Sequence, residues 1–195
     1  MRERTDNRKQ RILHVLARRQ KDLTVVLNNI HDPHNVSAIL RSCDAFGVNA
    51  AHLLYTDIAF PLLGHKSSAS AKKWVAIKRH KSARELVETL EASGVQVLST
   101  GFSPAAKPLT DWDMTRPTAV ILGNEHDGVA QELQTLAPGH IYIPMQGMVQ
   151  SLNVSVACAV ILYEAYRQRM EKGMYGRASL TPEEIQEHYD AWIAK

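Results

Sequence analysis

The chain has 195 residues, 45% hydrophobic and 22% charged, with a formal net charge of +3, a balance that suits one soluble domain with a full core and a short appendage. The longest strongly apolar run, 154–163, has half the length of a membrane span, and the charged residues 1–11 have no apolar segment behind them. Cys43 and Cys158 lie singly in apolar helical patterns and read as buried thiols, so the expectation is a reduced, cytoplasmic protein without disulfide, zinc or membrane segment.

Taken from its start, the chain opens on a basic amphipathic helix with Ile12, Val15 and Leu16 on one side. Residues 1–21 hold eight of the 23 basic side chains against Glu3 and Asp6. A second basic stretch runs through Lys66, Lys72, Lys73, Lys78, Arg79, Lys81 and Arg84, with no acid between Asp57 and Glu85. Either run alone suits a solvated face; two in a small chain suit nucleic-acid binding as well as they suit solvated faces. From residue 24 onward short β-branched or apolar runs (23–30, 50–55, 73–77, 95–100, 118–123, 140–145) alternate with helical patterns at 36–46, 83–92 and 129–136. That alternation predicts an α/β fold with a parallel sheet covered on both faces. A long helix is expected over 151–172, then a final one with a capping box at Thr181 and Glu184 and Pro182 at its first position. The expected division is a basic helical extension (1–22), a core (23–172) and a helical tail (173–195).

Three stretches carry chemistry. In HDPHNVSAILRSCDAFGV (31–48), Asn35 suits an N-cap, Gly47 a left-handed C-terminal cap, and Val36, Ile39, Leu40, Cys43 and Phe46 form a buried face. Arg41 falls opposite that face, and spacing alone makes it an exposed helix arginine. His31 and His34 have no companion cluster and suit a loop better than a metal site. In TAVILGNEHDGVAQEL (118–133) a buried strand ends at Leu122-Gly123, and Asn124, Glu125 and Gly128 form the loop where parallel sheets bind ligands. No dinucleotide or triphosphate glycine motif and no nucleophile elbow occurs. In IPMQGMVQSLNVSVACAVILYEAYRQR (143–169), Gln150, Ser151 and Asn153 interrupt apolar chain. Ser151 can cap the helix, which leaves Asn153 and Ser155 in need of another partner.

In this order and at these distances, NVSAILRSCDAFG, ILGNExxG and IPMxGxVQSLNVSVA resemble the three motifs of the SpoU-like branch of the SPOUT methyltransferases. Within that branch the likeness is to the tRNA guanosine-2′-O-methyltransferases, over residues 10–177. The resemblance implies a parallel-sheet SPOUT fold with a deep C-terminal trefoil knot, flanked by N- and C-terminal helices. It implies S-adenosyl-L-methionine held by Thr100 and Gly101, by Leu122, Gly123, Asn124 and Glu125, and by Ile143, Pro144, Met145, Ser151, Leu152 and Asn153. It implies Arg41 as the leading catalytic residue, with Asn35 orienting it, in a homodimer acting on tRNA, with no metal and no membrane. Arg8, Arg11, Arg19, Arg167 and Arg169 are the expected phosphate contacts. The expected target is the ribose of guanosine 18 in the D-loop. Another tRNA or ribosomal nucleotide, or non-catalytic RNA binding on the same fold, are the alternatives.

Overall fold

The apolar runs expected as strands come together in one sheet. The computed structural model describes residues 6–61 and 73–195. Its strands are β1 (Gln20–Asn28), β2 (Val48–Leu54), β3 (Ala76–His80), β4 (Gln96–Thr100), β5 (Lys107–Pro108), β6 (Thr118–Leu122) and β7 (Gly139–Tyr142). They lie in the order β3-β2-β1-β6-β4-β7-β5, every adjacent pair parallel. Parallel neighbours need crossovers, and three of the connections between strands carry an α-helix: α2 (Pro33–Ala45), α3 (Ala83–Ala92) and α4 (Gln131–Leu136). Helix α5 (Val154–Glu171) follows the last strand. Along β1, Val25 and Leu27 enter the core that α2 and α5 cover, and Val26 enters the core of α3 and α4. Each such side chain contributes about 1.5–3 kcal/mol on burial. Helices α1 (Asp6–Leu16) and α6 (Pro182–Ile193) pack through a separate cluster of Ile12, Leu16, Leu180 and Trp192.

Several local expectations are met. The α2 face of Val36, Ile39, Leu40 and Cys43 is buried, and Gly47 takes φ 78° just after the helix. Thr181 and Glu184 form the capping box, with Pro182 at the start of α6. Cys43 and Cys158 are free and buried, and a hydrogen bond between the thiols, with burial, pushes the Cys158 thiol up.

Others are corrected. The cap of α2 is Asp32, which accepts from His34 N at 2.8 Å with Pro33 behind it, not Asn35. The cap of α5 is Asn153, not Ser151: it accepts from Ser155 N at 2.9 Å and from the Ser155 hydroxyl at 2.6 Å. The strand expected at 73–77 begins at Ala76, because Trp74 turns aside to pack edge-on against Trp192. The two-residue β5 is too short to leave a pattern and was not anticipated. Lys66 and Lys72 lie outside the described residues.

Arg19 and Arg169 are also corrected as phosphate contacts, since both side chains are fully buried. Arg19 donates to Asp44 Oδ1, Val48 O and Trp74 O, tying the end of α1 to α2 and β2. Arg169 donates to Asp22 Oδ1, Gln20 Oε1, Met114 O and Arg116 O, tying the end of α5 to the start of β1. A guanidinium offers five fixed donors, which is why it can satisfy so many buried acceptors at once. Arg8 and Arg11 are exposed on α1, and Arg167 is held on its own helix by Glu164 and Glu171.

Candidate active site

The carboxyl ends of β4, β6 and β7 meet at one edge of the sheet, and each run breaks there into a loop. Thr100 Oγ1 donates to Ile121 O at 2.8 Å, and Gly101 N to Ile141 O at 3.1 Å, so the three strand ends are locked together. After β6 the chain makes a tight loop in which Asn124 and Gly128 exchange both backbone hydrogen bonds. The Asn124 side chain fills it, accepting from His126 N at 2.8 Å and Asp127 N at 2.7 Å. A Cβ on Gly123 would lie 1.9 Å from the Gly128 carbonyl carbon, so no other residue fits there.

Between these loops and the start of α5 lies a cleft of about 240 Å³. Of the residues that the resemblance implies for the cofactor, Thr100, Gly101, Leu122, Gly123, Asn124, Ile143, Met145, Ser151 and Leu152 line it. Gln150, Phe102, Gly128, Tyr142, Ala157 and Ile161 line it as well. Gln150 had a signal, a polar side chain in an apolar run, and Gly128 belonged to the loop expected after β6; Phe102 and Tyr142 had none beyond their nearness to strand ends, and Ala157 and Ile161, inside α5, had none. Glu125, Pro144 and Asn153 are outside the lining. Pro144 faces a neighbouring hollow, while Glu125 and Asn153 turn toward α2.

There they meet Asn35, the residue released from capping. Asn35 Nδ2 donates to Glu125 Oε1 at 2.5 Å, and Asn153 Nδ2 donates to Asn35 Oδ1 at 3.2 Å. Glu125 Oε2 also accepts from His31 N at 3.4 Å. One amide thus joins the first, second and third sequence motifs, though Glu125 and Asn153 lie 90 and 118 positions away. Behind this junction Asn29 takes φ 48°, and its side chain holds Thr56 and Asp57, fixing the turn that launches α2. Tyr55 donates to Ile30 O at 2.9 Å; burial and then the Glu125 charge raise its hydroxyl well above the usual tyrosine range. Arg41 is exposed on the same helix, two turns beyond Asn35. Among the described residues no group of three or more His, Cys, Asp or Glu is gathered to hold a metal ion.

The site is assembled from segments far apart in the chain, and the sequence model of the SpoU rRNA Methylase family matches residues 22–163, which contain the three motifs together with Thr100 and Gly101. The chain belongs to the SpoU methylase family. A relative from Thermus thermophilus, a tRNA (guanosine(18)-2′-O)-methyltransferase, is 48% identical over 195 residues, all of both chains. The crystal structure of the Aquifex aeolicus TrmH/SpoU tRNA modifying enzyme superposes with a TM-score of 0.90 at 40% identity, covering 97% of this chain and 96% of that one. The SpoU methyltransferase AviRb from Streptomyces viridochromogenes, solved with AdoMet, matches at TM-score 0.70 and 29% identity, over 78% of this chain and 62% of that one. SpoU methylases of known structure thus share the architecture of this chain.

Proposed function

We propose that this chain transfers a methyl group from S-adenosyl-L-methionine to the ribose 2′-oxygen of guanosine 18 in the D-loop of tRNA. The observation that carries the reading is the Asn35 junction: it brings Glu125 and Asn153 to α2, the helix of Arg41, beside the strand-end cleft. The full-length relative that acts on guanosine 18 supports the choice of nucleotide.

The cleft suits the cofactor. Leu122, Ile143, Leu152, Ala157 and Ile161 give apolar walls for an adenine and a methyl-bearing sulfur, and the loops at Gly101 and Gly123 bring bare backbone close. When bound, the cofactor supplies an electrophilic methyl group. The protein must then place the 2′-hydroxyl in line and accommodate the charge that grows on its oxygen as the proton leaves. Arg41 holds the neighbouring phosphate and stabilises that charge. A guanidinium, with a pKa above about 12, does not serve readily as a base. Asn35 is a positioning residue, fixing α2 against the second and third motif loops.

The remaining structure is read in the same way. The extension 1–22 and the tail 173–195 form an RNA-facing module on the 23–172 core, in which Arg8, Arg11 and Arg167 contact phosphates. The chain after the third motif threads the preceding loop as a trefoil knot. Two copies pair across α2 and α5, a reading supported by the exposed stripe of Val156, Val160 and Tyr163 on α5. No described helix is long and apolar enough to cross a membrane, and the enzyme is assigned to the cytoplasm with tRNA.

The test uses labelled cofactor, an unmodified tRNA transcript and mapping of the methylated nucleotide. Methylation at guanosine 18, abolished by 2′-deoxyguanosine there and by Arg41→Ala, is the expected result. Transfer to another position, or none, overturns the reading.

A further inference from the structure

The wall formed by Phe102 and Tyr142 has two sides. One faces the cofactor cleft; the other faces a second hollow of about 420 Å³ that also takes in Met145, Gln146, Val149 and Gln150. The two rings lie 5.5 Å apart, yet Phe102 is 68% exposed, a large apolar surface left open at the mouth of a polar-ligand site. Among the described residues none hydrogen-bonds the side-chain amide of Gln146 or Gln150. Aromatic faces beside idle amides are the equipment with which proteins hold an unstacked base: the ring stacks, and the amide pairs with the base edge.

We infer that this second hollow receives the guanine base of the nucleoside being methylated, with Phe102 as its stacking platform and Gln146 reading its edge. The inference rests on the methyltransferase reading above. A base joined to a ribose whose 2′-oxygen attacks in the cofactor cleft must lie in an adjoining space, and this hollow shares a wall with that cleft. The amide of Gln146 offers one carbonyl and one NH2 group. The NH2 donates to guanine O6 and the carbonyl accepts from guanine N1–H. Adenine presents the opposite pattern at those two atoms, so the same amide meets it only after turning over, with its carbonyl to N6–H and its NH2 to N1. Discrimination therefore depends on the loop holding the exposed Gln146 amide in the first of these two senses, which is what the preference for guanosine reads.

The experiment compares kcat/KM for transcripts carrying guanosine or adenosine at position 18, with wild type, Gln146→Leu, Gln146→Glu and Phe102→Ala. Wild type is expected to prefer guanosine. Gln146→Leu, which keeps the bulk and removes the amide, should shrink the preference by roughly tenfold or more while leaving cofactor affinity by calorimetry unchanged. Gln146→Glu, whose carboxylate accepts from guanine N1–H and N2–H, should keep it. Phe102→Ala should raise KM for both transcripts. An unchanged preference in Gln146→Leu, with folding and cofactor affinity intact, overturns the inference while the methyltransferase reading stands. If wild type methylates another purine, the reading of guanosine 18 falls and the same ratios taken at that base decide the hollow. If wild type transfers no methyl to any purine, both fall together.

Discussion

Arg169 was expected on the RNA surface from its sequence, and its burial predicts a different phenotype. Arg169→Met keeps most of the side chain's length and removes the guanidinium. Asp22 Oδ1, Gln20 Oε1 at 3.0 Å, Met114 O at 2.9 Å and Arg116 O at 3.0 Å then lose their donor together. Breaking a buried ion pair from one side costs about 3–5 kcal/mol. The Asp22 side chain is 32% exposed and can rehydrate, which pulls the cost toward about 3 kcal/mol. For a chain of this size each kcal/mol lowers Tm by roughly 2–4 °C, so a fall of about 6–12 °C is expected. The assay is urea and thermal unfolding beside tRNA affinity at several salt concentrations. Arg169→Met should lose stability and keep the wild-type salt slope, whereas Arg8→Gln should keep stability and lower the slope by about one phosphate contact. Wild-type stability with a shallower salt slope in Arg169→Met would refute the burial argument and return Arg169 to the RNA.

Further outcomes follow from single contacts. Gly123→Ala forces a Cβ into the Gly128 backbone, so calorimetry should show cofactor affinity reduced at least tenfold. Asn153→Asp keeps the oxygen that caps α5 but has no donor for Asn35 Oδ1, so methyl transfer should fall while Tm holds; Asn153→Ala should lose both, with about 1 kcal/mol of stability. His52 and His80 stack with their nitrogens 2.8 Å apart, and burial, each other and Lys78 depress His52 to about 4. Because the folded state then binds fewer protons than the unfolded one, stability should be lost as pH falls from about 6.5 to 4, by up to about 3 kcal/mol. Replacing His52 with Gln should flatten that limb of the pH–stability curve.

What was legible in the sequence was what neighbours along the chain decide. The period of Val36, Ile39, Leu40 and Cys43 gave α2 and its inner face, and the breaks after Thr100, Leu122 and Tyr142 marked the ends where the cleft lies. What was not legible depended on partners far along the chain. Arg19 and Arg169 look like any surface arginine until Asp44 and Asp22 arrive, 25 and 147 positions away. Asn35 was assigned to a cap because it is a good one, but Asp32 before Pro33 is better placed, and the choice frees Asn35 to bridge Glu125 and Asn153. Ser151 lost α5 to Asn153 in the same way, and became part of the cleft lining instead.

The order of strands also governs how the chain is made. The interior strand β1 pairs on one side with β2, the next strand in the chain, and on the other with β6, where Val25 meets Val120. During synthesis β1 therefore leaves the ribosome with one hydrogen-bonding edge unmatched until more than half the polypeptide has emerged. Such distant closure slows folding and prolongs the interval in which two nascent copies can adhere along that edge. The burden falls on chaperones and on translation speed upstream of β6. Synonymous codon changes between β2 and β6 should accordingly alter soluble yield without altering the protein that is obtained.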